Sequence, residues 1–252
     1  APRGGARCPV MAHLPILMVL VPLLSAPIVV FIKHPLASRV IATAACIVSA
    51  LCAWTLAVTL DSAVSYPLGG WRPAIGIELR IDYAGAYVAV IVSTLATVAI
   101  SLGTRGTREE LQGREVFFYA LFLMCVAGLM GMVVTGDAFN VFVFLEITSL
   151  ATYTLVALGR KRRALTAALN YLFLGTLGGT FVLIGIGLMY QMTGTLNAAE
   201  VAARIRDVGQ LRTVHVAFAF LTVGLCIKLA VFPLHQWLPG AYSEAPHAVS
   251  SF

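Results

Sequence analysis

Seven long apolar segments, separated by short polar and charged stretches, dominate the pattern of this chain. They cover residues 14–32, 40–60, 84–103, 116–135, 138–158, 165–192 and 214–234, and an eighth begins near Pro246. Each is long enough to cross a bilayer core of roughly 30 Å at about 1.5 Å per residue. The alternating pattern of a β-barrel does not occur in the sequence. The pattern therefore predicts an all-α, polytopic bundle of about seven membrane spans plus the start of an eighth.

The first apolar segment has the length of either a signal peptide or a membrane span. Pro15, Pro22 and Pro27, with the next segment close behind, favour a span. The chain begins with Ala1, and its last residues open another apolar segment. We therefore expect an N-terminal fragment of a longer protein.

The composition fits a membrane protein, since 60% of the residues are hydrophobic and 11% are charged. Soluble proteins carry about 25% charged residues. The formal net charge of +6 is explained by basic loops that face anionic lipid, and no nucleic-acid partner is expected. The five cysteines form no C-x-x-C pair and are interpreted as buried hydrophobic residues. No nucleotide-binding or metal-ligand pattern occurs, so we expect no cofactor and no metal; membership of an enzyme complex stays open.

Basic residues indicate the cytoplasmic side. Residues 160–163 read RKRR in a very short loop, and such loops stay in the cytoplasm. This predicts that the N-terminus and the connectors 61–82 and 194–212 lie outside, in a bacterial inner membrane. The first connector is predicted to form an ordered turn or hairpin. In the second, residues 198–206 are predicted to form a short amphipathic helix on the outer surface.

Two charged residues lie in the middle of predicted spans, Glu146 in the fifth and Lys228 in the seventh. Each such charge costs about 2.5–3.5 kcal/mol on insertion-derived scales, so an uncompensated pair costs roughly 5–7 kcal/mol. Burial and a nearby opposite charge act in opposite directions on proton affinity. A carboxylate and an amine whose separation changes can therefore switch proton binding. Both residues are candidates for proton translocation.

Each of these residues has a second interpretation. Ser149 and Tyr153 share the helical face of Glu146, at i+3 and i+7, and give that helix a polar stripe. Glu146 is alternatively a structural carboxyl that joins two helices by one hydrogen bond. Lys228 alternatively snorkels to an interface, although it lies about 14 residues into its segment.

Pro233, five residues after Lys228, predicts a helix break. Proline cannot donate to the carbonyl of Leu229, so a free carbonyl is expected beside the lysine. Gly224, one turn before the lysine, is expected to leave room for water or a partner side chain. Broken helices at membrane depth persist only where the backbone lines a cavity or is buried in protein. The surroundings of Lys228 therefore indicate a polar site.

Two histidines follow this break. His235 comes directly after it and His247 opens the last segment, so both are candidate proton relays near neutral pH. A lone histidine near a helix end is more often structural, and that interpretation stays open for both. In the sixth segment, Gly175 and Gly179 form a small-x-x-x-small pattern that predicts close helix packing.

Two motifs resemble the antiporter-like family, which includes Mrp-type cation/proton antiporter subunits and the pumping subunits of complex I. Residues 135–147 read TGDAFNVFVFLEI and resemble the family's fifth helix, and residues 227–239 read IKLAVFPLHQWLP and resemble its broken seventh helix. Residues 190–197, YQMTGTLN, and residues 69–71, GGW, are most similar to the D-type Mrp subunit. The resemblance covers roughly residues 60–252.

The resemblance implies a division of the chain. Residues 1–13 would be an N-terminal tail, residues 14–115 three preceding helices with an extracytoplasmic connector at 61–82, and residues 116–252 a truncated first repeat. The family's fold has two inverted five-helix repeats. Glu146 and Lys228 would be its proton-channel pair. His247 stands where relatives often have threonine, and further lysines of the family would lie beyond Phe252.

Three functions follow from these observations. The first is a proton-translocating subunit of a multisubunit Na⁺/H⁺ antiporter, with other membrane subunits, protons, Na⁺ and the lipid bilayer as partners. The second is a pumping subunit of a complex I-like NADH-quinone oxidoreductase or a membrane-bound hydrogenase. The third is a non-transporting scaffold, in which the buried pair only fixes the helix register.

Overall fold

The computed structural model describes residues 13–71, 76–102, 111, 113–159 and 162–250. The helices are α1 (Leu14–Ile32), α2 (Pro35–Thr59), α3 (Tyr83–Leu102), α4 (Glu115–Val134), α5 (Ala138–Ala157), α6 (Arg162–Thr193), α7 (Ala198–Val208), α8 (Arg212–Lys228), α9 (Trp237–Glu244) and α10 (His247–Ser250). Within the described residues, α1 to α6 are the six helices long and apolar enough to cross a membrane. The predicted all-α membrane bundle is thus confirmed, while the number of spans and the repeat symmetry stay predictions.

Helix α8 is shorter than its apolar segment predicted. The segment covered residues 214–234, but α8 has 17 residues and ends at Lys228. The predicted basic loop 160–163 also differs, because Arg162 and Arg163 form the first turn of α6. Arg160, Lys161 and most of the N-terminal tail lie outside the described residues.

Polar caps fix several helix starts. The Asp137 carboxylate accepts a hydrogen bond from the backbone N–H of Asn140 at 2.8 Å and begins α5. The side chain of Asn197 accepts from the N–H groups of Ala199 and Glu200 and begins α7. Such caps satisfy backbone donors that the first helical turn leaves unpaired. The two capping residues, Asp137 and Asn197, also form a β-bridge, so the starts of α5 and α7 lie side by side.

Helix α4 is the centre of the first half of the bundle. It packs against α1, α2, α3 and α5. Its buried side chains include Phe122, Leu123, Val126 and Met130. A helix that is apolar around its whole circumference is expected to be buried on all sides.

Helix α6 organises the second half. It packs against α5 on one side, against α8 on another and against the short α9. Helix α6 is therefore in contact with both α5 and α8. This arrangement brings α5, which carries Glu146, close to the end of α8, which carries Lys228.

The connector between α2 and α3 forms a hairpin. Strands β1 (Val64–Pro67) and β2 (Glu78–Ile81) pair in antiparallel register. Leu79 of β2 also bridges to Thr135, at the junction of α4 and α5. The hairpin is thus attached to the start of α5.

Candidate functional site

Lys228 is the last residue of α8, and the helical conformation ends immediately after it. Leu229 caps the helix and Ala230 has a left-handed φ of 51°. A cis peptide bond precedes Pro233, and the chain becomes helical again at Trp237. The break therefore starts at the lysine itself, before the proline at which the sequence placed it. The carbonyl end of α8 carries partial negative charge, which favours a cation there.

The ammonium group of Lys228 contacts three oxygen atoms of α5. Its Nζ donates to Glu146 Oε1 at 2.9 Å, to Ser149 Oγ at 2.8 Å and to Tyr153 OH at 3.4 Å. An ammonium has three N–H donors, so these contacts account for all of them. The polar stripe of α5 and the lysine thus form one cluster, which we call the lysine site.

The lysine site is largely withdrawn from the surface. The side chain of Lys228 is 10% exposed and that of Glu146 is 24% exposed, while Ser149 and Tyr153 are buried. The lysine nitrogen lies against α5 instead of snorkelling. A buried ion pair is tolerated when hydrogen bonds complete its shell, and the two hydroxyl groups do so here.

Glycines of α6 form the wall opposite this stripe. A Cβ atom on Gly179 would collide with the carboxyl group of Glu146, and a Cβ atom on Gly175 would collide with the hydroxyl group of Tyr153. The sequence predicted only close helix packing for these two glycines. The structure shows that they also leave the volume in which the two polar side chains lie.

The sequence predicted that Gly224 leaves open space, and this prediction is wrong. A Cβ atom there would lie 2.7 Å from the carbonyl oxygen of Gly178 and 2.8 Å from atoms of Val182. The position is filled by the backbone and a side chain of α6. Gly224 therefore allows α8 and α6 to approach closely, just before the lysine.

An aromatic cluster lies beside the lysine site. The ring of Tyr171 packs edge-on against Tyr153, with centroids 4.4 Å apart, and is stacked on Trp237, with centroids 4.1 Å apart. Trp237 Nε1 donates to the carbonyl oxygen of Ile227 at 3.0 Å. The start of α9 is thus fastened to the end of α8. Tyr171 and Trp237 were not predicted as members of the site, because an aromatic residue in or beside an apolar segment carries no distinct signal.

The two candidate relay histidines lie apart from the ammonium contacts described above. His235 is half-buried in the break, its ring 5.5 Å from that of Phe232, and its Nδ1 is buried without a hydrogen-bond partner in the described structure. His247 is the first residue of α10 and is exposed. Their role as relays stays a prediction.

A second polar cluster lies at the start of α5 and was not predicted from the sequence. The buried carboxylate of Glu78 accepts from Asn197 Nδ2 at 2.6 Å and from the hydroxyl of Ser65. Burial raises the pKa of Asp137 above its ordinary value of 3.8, while N–H groups of Asn140 and Phe139 oppose that rise. These contacts join the hairpin, α5 and α7.

Two cavities lie on either side of the lysine site along α5. One, of about 410 Å³, is lined at the start of α5 by Asp137 and Val141 and extends to Leu225 of α8. The other, of about 220 Å³, is lined further along by Thr148, Thr152, Leu155 and Val156, with Trp237 among its other walls. Glu146 lies between the two stretches of α5 that line them.

The comparisons with known proteins identify the family and the fold. Residues 135–252 match the family described as NADH:quinone oxidoreductase/Mrp antiporter, transmembrane region. The matched part of this chain belongs to the antiporter-like membrane family. The resemblance that the two motifs predicted is thereby confirmed, and so is a multi-pass membrane protein.

Two curated relatives represent two branches of the antiporter-like family. The N-type subunit of NADH-quinone oxidoreductase from Desulforudis audaxviator is 42% identical over 246 residues, which is 96% of this chain and 49% of the relative. The D-type subunit of the Na⁺/H⁺ antiporter from Bacillus subtilis is 33% identical over 245 residues, again 96% of this chain and 49% of the relative. The chain thus spans about half the length of these relatives. The identities do not single out the D-type branch.

Solved structures give the same picture of the fold. A chain of the archaeal membrane-bound sulfane sulfur reductase matches with a TM-score of 0.85 and 30% identity, over 94% of this chain and 49% of the other. A chain of the Mrp complex from Dietzia sp. matches with a TM-score of 0.83 and 27% identity, over 96% of this chain and 45% of the other. Respiratory complex I from Thermus thermophilus, at 23% identity and a TM-score of 0.72, supports the fold alone. All three are multisubunit membrane complexes.

Proposed function

We propose that this antiporter-like chain is the proton-translocating membrane subunit of a multisubunit Na⁺/H⁺ antiporter, and that Glu146 and Lys228 carry the proton. The observation that supports it is the contact of 2.9 Å between a carboxylate and an ammonium that are both largely buried between α5 and α8. A proton added to the carboxylate removes the charge that holds the ammonium, so proton binding at one residue changes proton affinity at the other.

The hydroxyl groups of Ser149 and Tyr153 support a cycle with two arrangements. When Glu146 is ionised, the ammonium is held by the carboxylate. When Glu146 is protonated, the two hydroxyls still accept hydrogen bonds from the ammonium. The lysine can then release its proton without first losing every partner.

We propose the same membrane and orientation that the loop charges predicted. The chain lies in a bacterial inner membrane, with its N-terminus outside and residues 160–163 in the cytoplasm. Other membrane subunits cover part of its exposed apolar surface. The presence of other subunits is supported by the multisubunit complexes that contain structurally similar chains.

The test uses inverted membrane vesicles from cells that express the full coding sequence with its genomic neighbours and lack other Na⁺/H⁺ antiporters. Addition of Na⁺ should dissipate a pH gradient, monitored by a fluorescent dye. Glu146→Ala and Lys228→Ala should abolish this activity while membrane insertion is retained. Glu200→Ala is the matched control, because Glu200 forms an exposed ion pair with Arg204 on α7. Retained activity in both site variants would contradict the proposal.

A pumping subunit of a respiratory complex is the second candidate, favoured by the 42% identity to an NADH-quinone oxidoreductase subunit. Genomic neighbours discriminate between the two. Small antiporter subunits indicate the first function and hydrophilic iron–sulfur subunits the second. If the chain is only a scaffold, replacement of Glu146 and Lys228 together by apolar residues should preserve every activity of its complex.

A further inference from the structure

The glycines of α6 differ in what lies opposite them. The three heavy atoms nearest to a Cβ on Gly179 all belong to the carboxyl group of Glu146, and those nearest to a Cβ on Gly175 all belong to Tyr153. A Cβ on Gly178 would instead meet the side chain of Ile227 and the carbonyl oxygen of Gly224, both on α8. A Cβ on Gly187 would have no atom within 4 Å. One helix therefore presents glycines to the polar site, to an apolar helix contact and to open space.

We propose that Gly179 is a positioning residue for the proton-translocating pair, because its missing side chain determines where the Glu146 carboxylate lies relative to Lys228. This inference rests on the proposed function for its biological meaning, although the geometry stands without it. Gly175 has the corresponding effect on the Tyr153 hydroxyl.

Gly179 faces one particular oxygen of the pair. The atom nearest to the added Cβ is Glu146 Oε1, the same oxygen that accepts the hydrogen bond from Lys228 Nζ at 2.9 Å. A methyl group at residue 179 would occupy the place of that oxygen. The carboxylate would have to move, and its contact with the ammonium would lengthen or break. Any larger side chain would have the same effect more strongly.

Glu146 is the charged partner among the three side chains that accept from the ammonium of Lys228. The elements next to the pair carry further titratable residues in the described part of the chain: Cys125 on α4, Tyr171 on α6, Cys226 on α8, His235 in the break, and Tyr242 and Glu244 on α9. The carboxylate of Glu146 is thus the charged group in contact with the ammonium, and the α6 backbone at Gly179 limits where it lies.

The first measurement is made on the purified protein, so that it does not depend on transport. Infrared spectra with isotope-labelled glutamate record the carboxyl bands of Glu146, and Glu146→Gln identifies them. In Gly179→Ala these bands should move from the wild-type frequencies toward those of Lys228→Met, because the carboxyl group loses its hydrogen bond from the ammonium. Gly187→Ala, whose added methyl group meets open space, should keep the wild-type bands.

The rate of Na⁺-dependent transport in vesicles is the second measurement, and Gly179→Ala should lower it while Gly187→Ala leaves it unchanged. A folded Gly179→Ala protein whose Glu146 bands match those of the wild type would overturn the inference. If the bands shift as expected but even the wild type transports nothing, the proposed function fails and the positioning role stands.

A further variant covers the case in which Gly179→Ala does not fold. Truncation of the opposing side chain in Glu146→Ala/Gly179→Ala removes the collision, so the double variant should have the same unfolding temperature as Glu146→Ala alone. A double variant that still fails to fold would show that Gly179 serves backbone packing, and the inference would be wrong. Additivity of the two single effects on the unfolding temperature would likewise contradict the positioning role.

Discussion

At the scale of single residues, the lysine site holds one cation with one anion and two neutral hydroxyl groups. The hydroxyls of Ser149 and Tyr153 accept from Lys228 Nζ at 2.8 Å and 3.4 Å. Loss of one partner of a buried ion pair costs about 3–5 kcal/mol, since the remaining charge is left uncompensated. The hydroxyls reduce this cost at the moment when Glu146 takes up a proton.

This role predicts graded effects of removing the hydroxyl groups. A hydrogen bond to a charged group contributes about 1.5–3 kcal/mol, so Ser149→Ala should lower the rate of coupled transport by about tenfold or more. Tyr153→Phe should have a smaller effect, because its contact with the ammonium is longer. Initial rates of pH-gradient dissipation in vesicles measure both effects.

Thr154→Val is the control for these two variants. Thr154 lies on the same helix, but its hydroxyl donates to the carbonyl of Leu150 in its own backbone at 2.9 Å. The control should keep the wild-type rate. A loss in Thr154→Val as large as that in Ser149→Ala would mean that any polar deletion on α5 disturbs the helix.

The charged members of the site could be recognised from the sequence pattern, whereas their partnership was implied only by the family resemblance. Helical spacing places Ser149 on the face of Glu146, because both belong to one helix. The contact between Glu146 and Lys228 joins residues that are 82 positions apart. Spacing within a helix contains no information about which other helix packs against that face. The same holds for Gly179, whose neighbour is a side chain of α5.

At the scale of elements, the end of α8 is held by α9. Helix α8 stops at Lys228, and the indole N–H of Trp237 bonds to the carbonyl of Ile227, the preceding residue. The indole ring is at the same time stacked on Tyr171 of α6. These two contacts fix the direction in which the lysine side chain leaves its helix.

Trp237→Phe separates the two contacts. Phenylalanine keeps an aromatic ring for stacking but has no N–H group to donate. The free energy of unfolding should fall by about 0.5–1.5 kcal/mol, the usual contribution of a neutral hydrogen bond. The transport rate should fall as well, because the end of α8 loses an anchor next to Lys228. Thermal unfolding in detergent and vesicle assays measure the two effects.

Trp54→Phe provides the comparison. Trp54 also donates its indole N–H, to Thr94 Oγ1 at 3.2 Å, but it is 52% exposed and lies on α2. This substitution should leave the transport rate unchanged. Equal losses of transport in the two variants, or none in Trp237→Phe, would contradict the anchoring role.

The position of the break shows what a proline can and cannot predict. Pro233 indicates that a helix cannot continue through this segment. The structure ends α8 at Lys228 because Ala230 adopts a left-handed conformation. Glycine or asparagine usually marks such a position, and alanine gives no such signal in the sequence. The existence of the break was therefore predictable, and its first residue was not.

At the scale of the whole molecule, one buried carboxylate fastens distant parts of the chain. Glu78 of the hairpin bonds to Asn197, which is 119 residues away at the start of α7. The backbone N–H of Gly136 donates to the carbonyl of Glu78 at 2.9 Å. The hairpin thus holds the starts of α5 and α7 at one end of the bundle. Apolar periodicity could not predict this contact, because it lies in the connectors.

The proposed orientation makes a prediction for the two ends of the bundle. In a variant without native cysteines, Asp207→Cys on α7 should react with a membrane-impermeant maleimide in spheroplasts. Leu36→Cys, in the first turn of α2, should react only after the membrane is opened. Both side chains are exposed in the described structure, so access of the reagent is decided by the membrane.

A membrane-permeant maleimide is the control, and it should label both cysteines in intact spheroplasts. Labelling of Leu36→Cys by the impermeant reagent, with Asp207→Cys protected, would show that the orientation is opposite to the proposed one.

The fold class and the approximate helix positions were predictable at this scale because apolar length alone determines a span. Orientation depends on loop charges, and it stays a prediction.

The stacking of Trp237 on Tyr171 also has a spectroscopic consequence. Of the three tryptophans in the chain, Trp54 and Trp71 are 52% and 65% exposed, whereas Trp237 is 7% exposed. Replacement of the two exposed tryptophans by phenylalanine would leave Trp237 as the single tryptophan, at the junction of α8 and α9. Its emission wavelength and its quenching would then follow the surroundings of Lys228 in real time, without any attached dye.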